Sequence, residues 1–339
     1  MVETKDHRAT YAHSASHVIQ QLDDDLRANR PLHVRSVATG FDILDEVLSG
    51  GLHAGDLVLL GGPPGVGKTI ASLQWARNVA RDGQLAVFAC YEHEPNTLLL
   101  RLLALEAGEL GGDASIAPAL ERALVQGQLD GQSLRDVLAG ARHGQQALQR
   151  VEAYADNLIL VRASGASTTL SALRSLIEPH VGTDRATVLF VDYLQKVPLQ
   201  PEPDSEAEKV TRTVEGLKDL ALDLSVPIVL LSAVDAEGMR ANRLRLYHLR
   251  GSSAIAFESD VVLMLNEKAK AVSKVYLSYD IKAARSFKDW VVMSVEKNRG
   301  GPNLVDLEFR KDFAHFRFDP DGGIVTEKLV DERLDEDSL

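Results

Sequence analysis

Apolar and polar positions along this chain follow two periods in turn. Between residues 11 and 29, Ala15, Val18, Ile19, Leu22 and Leu26 recur at three- and four-residue spacing, which predicts an amphipathic helix stopped by Pro31. Beyond it, short continuous apolar runs predict buried strands over 57–61, 85–91, 158–162, 187–192, 227–232 and 260–265. Helical patterns lie between most of them, including 70–81, 97–110 and 208–224. The alternation predicts an α/β fold: a mostly parallel central sheet flanked by helices. Two later strand-like stretches, 290–296 and 304–310, flank Asn298-Arg299-Gly300-Gly301-Pro302-Asn303 and predict a C-terminal antiparallel hairpin at one edge.

The strand pattern at 57–61 runs into Gly62-Pro63-Pro64-Gly65-Val66-Gly67-Lys68-Thr69, and the helical pattern opens at Ile70. A strand feeding a glycine-rich loop that opens a helix is the context in which Gly-x-x-x-x-Gly-Lys-Thr binds a nucleoside triphosphate. The glycines let successive N–H groups point at phosphate oxygens, and the helix N-terminus favours anions. Lys68 is expected to reach the β- and γ-phosphates and Thr69 to hold Mg2+. The strand at 187–192 ends in Asp192, suited to orienting the magnesium or its water ligands. Hydrolysis also needs a group that polarises the attacking water. Glu92 follows directly on the strand at 85–91, and Glu94 competes for the role; the plainer alternatives are exposed loop acids or a helix cap. ATP and Mg2+ are the expected ligands.

Bulk composition narrows the class further. At 339 residues, 45% hydrophobic and 25% charged, the chain has ordinary globular proportions. No apolar run reaches the roughly 18 residues a membrane helix needs, and the N-terminus lacks a secretory pattern. The lone cysteine, Cys90, lies in an apolar run and suits a reducing, cytoplasmic setting. A net charge of −12 argues against nonspecific coating of nucleic acid but leaves room for a local basic stripe. The segment 239–250 offers one, with Arg240, Arg243, Arg245 and Arg250 and no acid among them. The stretch 198–208 is the reverse: Glu202, Asp204, Glu206 and Glu208 would repel phosphate. Residues 331–337 are strongly acidic and read as solvated.

Taken together, these motifs resemble the C-terminal ATPase domain of DnaB-type replicative helicases, within the RecA-like P-loop superfamily. The matching residues run in family order from about Thr39 to about Phe318. They include Thr39-Gly40-Phe41-Asp42, Gly50-Gly51-Leu52, the glycine loop, Glu92 with Leu98 and Arg101, and Val191-Asp192-Tyr193-Leu194-Gln195. Val226-Pro227-Ile228, Leu249-Arg250-Gly251-Ser252, Ser259-Asp260 and Lys297-Asn298-Arg299-Gly300-Gly301-Pro302 complete the series. The resemblance implies that Glu92 activates water and that Asp192 is linked to the magnesium. It implies that Lys297 and Arg299 reach the γ-phosphate held by a neighbouring subunit of a ring, expected to be a hexamer. It also implies single-stranded DNA in the central channel, for which the arginines of 239–250 are the candidate contact.

Two departures from the family pattern bear on function. Ala233 stands where the family has a glutamine that senses the γ-phosphate and signals to the DNA loop, and a methyl group makes no hydrogen bond. Fewer than forty residues precede Thr39, so the helical collar that meets primase is not expected and primase binding is not implied. The stripe on residues 11–29 has two open fates, docking on a neighbouring subunit or folding back on its own domain. The expected organisation is a helical arm over 1–34, a RecA-like ATPase domain over 35–320 and an acidic tail over 321–339. A helicase or translocase on single-stranded DNA is the leading expectation. Its rival is a non-unwinding regulatory ring whose output is a protein partner, and a recombinase-like filament is a weaker third.

Overall fold

Each expected strand forms, with its ends within two residues of expectation, and helices cover both faces of the resulting sheet. The computed structural model describes residues 13–28, 36–112, 114, 116–126, 131–251, 253–272 and 286–330. In chain order the first elements are α1 (Ala15–Arg27), β1 (Ser36–Val37), α2 (Asp42–Val47), β2 (Leu52–His53), β3 (Leu57–Gly61), α3 (Lys68–Arg81), β4 (Leu85–Cys90) and α4 (Pro95–Glu109). Then come α5 (Ile116–Gln126), α6 (Leu134–Ala139), α7 (Gly144–Tyr154), β5 (Leu158–Arg162), α8 (Leu170–Ile177), β6 (Thr187–Asp192), α9 (Glu206–Leu224) and β7 (Ile228–Ser232). The rest are α10 (Ala254–Glu258), β8 (Val261–Glu267), α11 (Lys268–Ala271), β9 (Trp290–Asn298), β10 (Val305–Asp312), β11 (Arg317–Phe318) and β12 (Gly323–Ile324).

The main sheet has the order β11-β10-β9-β8-β3-β7-β6-β4-β5, with β12 also paired to β10. From β8 to β5 every pairing is parallel, and β9, β10 and β11 extend the β8 side antiparallel. Parallel strands need crossover helices, which land on the sheet faces and bury both. On β3, Val58 and Leu60 point into the core beneath α3, α4 and α7, while Leu57 and Leu59 point to the core beneath α8 and α9. That explains why these strands read as unbroken apolar runs rather than as alternation.

Two features differ from the sequence reading, and a third bears on a choice it left open. Residues 111–157 were given no element and hold α5, α6 and α7; these helices are short, and Gly111, Gly112, Gly131 and Gly140 interrupt their pattern. Residues 321–330 are not a free tail. Gly323 and Ile324 pair with Glu308 and Leu307, Glu327 forms an ion pair with Lys268, and the Val330 N–H donates to the Ala271 carbonyl at 2.8 Å. The acidic run 331–337 lies outside the described residues, as do residues 1–12 and Ser252. Finally, α1 forms as expected, capped by Ser14, but buries none of its residues: Val18, Ile19, Leu22 and Leu26 are all exposed. Among the described residues it therefore does not fold back on its own domain.

Candidate functional site

The sheet order puts the carboxyl ends of β3, β7, β6 and β4 side by side, and the chemistry-bearing residues cluster on that edge. β3 ends at Gly61 and the chain turns through Gly62–Gly67 into α3, whose first residue is Lys68. Gly67 is held at φ +106°, and a Cβ there would lie 2.6 Å from the Phe318 ring and 2.7 Å from the Phe313 ring. Both conformation and space exclude a side chain. The Lys68 ammonium donates to the carbonyls of Gly62 at 2.7 Å and Pro63 at 3.1 Å, so it arches over the loop. Burial depresses its pKa, opposed by the nearby carboxylates of Asp192 and Glu92. Val66 is buried and packs the loop onto the core, whereas Pro64 and Gly65 are exposed and Ile70 is half-buried.

Asp192 closes β6, is only 2% exposed, and accepts a 2.8 Å hydrogen bond from the Thr69 hydroxyl. Burial pushes its pKa up to about 6. The Thr69 hydrogen bond opposes that, Glu92 raises it further, and Lys68 pulls it down. Cys90, its register partner on β4, has its Sγ 3.8 Å from the same carboxylate oxygen. Burial foremost, and Asp192 next, push that thiol up to about 11. Cys90 is therefore the inert core residue expected from its apolar run.

The two candidate bases separate clearly. The Glu94 carboxylate is turned to Arg162, the last residue of β5, at 2.7 Å, whereas Glu92, equally exposed, acts electrostatically on both Lys68 and Asp192. Only Glu92 shares a field with the loop lysine and the buried aspartate. Arg101, on α4, adds a cation to the same field. Its guanidinium is 5.3 Å above the Phe316 ring, and the charges acting on it include Asp192 and Glu92. The signal was available: a single arginine inside the apolar run Leu98-Leu99-Leu100-Arg101-Leu102-Leu103.

Lys297 and Arg299 sit on the opposite edge. They lie at the far end of β9, beside the start of β8 and β3, where Val262 pairs with Lys297. The length of β3, roughly 13 Å at 3.3 Å per residue, separates that edge from the glycine loop. The Lys297 ammonium donates to the carbonyls of Ala256 at 2.7 Å, Phe257 at 3.4 Å and Ser259 at the end of α10. Arg299 donates to Asp260 Oδ1 at 3.2 Å and to the Phe257 carbonyl. Neither cation lies at the glycine-loop edge of its own chain.

The arginine stripe at 239–250 is corrected by the tertiary structure. Arg243 is 9% exposed and locked to Asp306 on β10, while Arg245 pairs with Glu296 on β9 at 2.8 Å. Arg250 is exposed but forks onto Glu206 at 2.8 and 3.0 Å, and Arg240 is exposed. The segment contains no acid, yet three acids reach it from 44 to 63 residues away. The stretch 198–208 does keep Glu202, Asp204, Glu206 and Glu208 exposed. No described helix is long and apolar enough to cross a membrane.

Residues 36–318 match the family model of the DnaB-like helicase C-terminal domain. A replicative DNA helicase DnaB of Rickettsia bellii is 26% identical over 309 residues, covering 84% of this chain and 58% of the relative. One of Treponema pallidum is 29% identical over 286 residues, covering 83% and 55%. The chain thus spans a little over half the length of these curated relatives. Among solved structures, the ATPase domain of G40P superposes with a TM-score of 0.69 at 18% identity, over 91% of this chain and 99% of that one. A DnaB-like replicative helicase solved with its primase interactions gives 0.64 at 19% identity, over 91% and 67%. At those identities the likeness establishes the fold, which is RecA-like.

Proposed function

The chain belongs to the DnaB-like helicase C-terminal domain family, and on that premise we propose that it hydrolyses MgATP between the subunits of a ring and acts on single-stranded DNA. The observation that carries this reading is the 2.8 Å bond between Thr69 Oγ1 and Asp192 Oδ2, placed at the mouth of the glycine loop beneath Lys68. A hydroxyl and a buried carboxylate side by side are the donor set magnesium takes in P-loop enzymes, so these residues fit the ion. Bound there, magnesium would neutralise charge developing on the terminal phosphates. The main-chain N–H groups from Gly65 to Ile70 would cradle the phosphates, Pro63 and Pro64 shaping the loop without donating, and Lys68 would leave its two carbonyls for them. Glu92 would orient the attacking water and accept its proton.

Lys297 and Arg299 act on a nucleotide held by the next subunit. Their position at the opposite sheet edge supports this, because they cannot serve their own chain. Hydrolysis is then sensitive to how neighbouring subunits meet. The exposed apolar stripe of α1 supports self-association, with a hexamer the expected ring. For DNA, exposed Arg240 and Arg250 remain the candidate contacts of the original four, with Arg250 shared with Glu206. The proposed motor runs from residue 35 through at least 330, in the cytoplasm.

A second reading, a RecA-like ring whose output is a protein partner, is favoured by the internal Arg243–Asp306 and Arg245–Glu296 pairs, which remove two cations from the surface. The ATPase rate with and without single-stranded DNA decides between them. Stimulation that falls in Arg240→Ala supports the DNA motor. Robust turnover indifferent to DNA moves the assignment to the partner-directed ring.

A further inference from the structure

Gln195 lies three residues beyond Asp192, in the single turn Leu194–Lys196 that leaves β6. Its amide is fully engaged. Nε2 donates to Ser232 Oγ at 3.1 Å and to the Arg250 carbonyl at 3.1 Å, and Oε1 accepts from the Ala233 N–H at 3.3 Å. One side chain from the β6 end therefore grips the end of β7 and the loop that returns to it. The same loop is tied back at Arg250, whose N–H donates to the Ala233 carbonyl at 3.0 Å. The Arg250 guanidinium in turn forks onto Glu206, the first residue of α9. From Asp192 the backbone leads in three residues to Gln195, and hydrogen bonds lead on from Gln195 through Arg250 to Glu206.

We propose that Gln195 is a positioning residue that couples the state of the nucleotide site to the position of Arg250. The proposal rests on the reading of Thr69 and Asp192 as the magnesium–nucleotide site. A magnesium-bound nucleotide would engage both partners of the Thr69–Asp192 bond, and on this proposal its arrival re-aims the Asp192 carboxylate. The turn that follows is held together as a unit. Leu194 is wholly buried, the Lys196 N–H donates to the Tyr193 carbonyl, and the Val197 N–H donates to the Leu194 carbonyl, both at 3.1 Å. A primary amide is a directional connector whose two protons and oxygen lie in one plane, so a shift of its base either carries its partners along or breaks bonds. On the β7 side, Ala233 presents only a methyl group, so its part in the link is made by its main-chain N–H. What moves at the far end is the backbone of Arg250, and with it the cation shared with Glu206.

The test uses the full chain, with hydrogen exchange of a peptide spanning 246–251 measured with and without a magnesium-bound non-hydrolysable ATP analogue. Nucleotide affinity and single-stranded DNA binding are measured separately on the same samples. In the wild type, nucleotide should change exchange at this peptide by about fivefold or more. In Gln195→Ala that response should vanish while nucleotide affinity is kept, and Ser232→Ala, which removes one of the amide's three partners, should reduce it. A full response in Gln195→Ala, or no response in a wild type that binds the analogue, overturns the proposal. Should Gln195→Ala fail to fold, Ser232→Ala decides: an undiminished response overturns the coupling and a diminished one supports it. A wild type that shows the exchange response but no DNA binding removes the DNA reading and leaves the coupling standing.

Discussion

Nη2 of Arg243 lies 2.9 Å from one carboxylate oxygen of Asp306 and 2.8 Å from the other, joining the 239–250 loop to β10. Asp306 also accepts from the Ser294 hydroxyl on β9, so the loop is fastened to two antiparallel strands at once. A guanidinium used in this way is a structural bolt and is withdrawn from phosphate.

Removing it should cost stability. Arg243→Ala leaves Asp306 largely buried without its cation, and the expected loss is about 3 kcal/mol by chemical denaturation. Arg240→Ala, on the exposed part of the same loop, should stay within about 0.5 kcal/mol. On the DNA reading, Arg240→Ala should also weaken single-stranded DNA binding and lower its salt dependence by about one ion. Equal stability losses in the two variants would contradict this division of labour.

Asp192 is destabilising where it is ionised. Its pKa is raised to about 6 from 3.8, so the folded state holds this proton more tightly than the unfolded chain does. Stability from this group is therefore present at low pH and falls as pH rises from about 4 to 6. At about 1.4 kcal/mol per pH unit the displacement corresponds to about 3 kcal/mol at pH 7. Asp192→Asn should raise the melting temperature in metal-free buffer at pH 7–8, with the gain shrinking towards pH 4, while abolishing magnesium-dependent turnover. A gain that is constant across that range would show that the carboxylate's charge is not its cause.

Lys68→Ala should lose nucleotide binding or turnover, and Glu92→Gln should keep nucleotide affinity while lowering turnover by at least about a hundredfold. Glu94→Gln should be nearly silent, because its partner is Arg162. If Glu94→Gln behaves as expected of Glu92→Gln, the base has been assigned to the wrong acid.

Mixing Arg299→Ala subunits with Glu92→Gln subunits should recover part of the activity that each lacks alone. At a fraction of the interfaces an intact Glu92 site then meets an intact Arg299 from its neighbour. No recovery in assemblies shown to contain both variants would count against the trans role.

Assembly provides a further check. Leu22→Asp acts on an exposed position of α1, so the fold should melt within about 1–2 °C of the wild type while self-association weakens. A large drop in melting temperature at unchanged assembly would place that stripe against its own domain.

The sequence by itself determined the strands of the sheet and the glycine loop between β3 and α3. Short apolar runs such as 57–61 and 187–192 are strands because both faces are covered, and the Gly-x-x-x-x-Gly-Lys-Thr spacing fixes a loop geometry few other residues permit. These signals are contiguous, so they survive being read in one dimension. Partners brought from far along the chain do not. The stripe 239–250 looked uniformly basic because Asp306, Glu296 and Glu206 are 44 to 63 residues away from the arginines they neutralise. What sets Glu94 apart from Glu92 is Arg162, placed beside Glu94 by the β4–β5 pairing. The attachment of residues 321–330 depended on a β10 edge that only the folded sheet creates. Spacing in the chain fixes backbone conformation and which residues are apolar. Which charge meets which is decided by strand order, because only packing sets the distance and burial on which an ion pair depends.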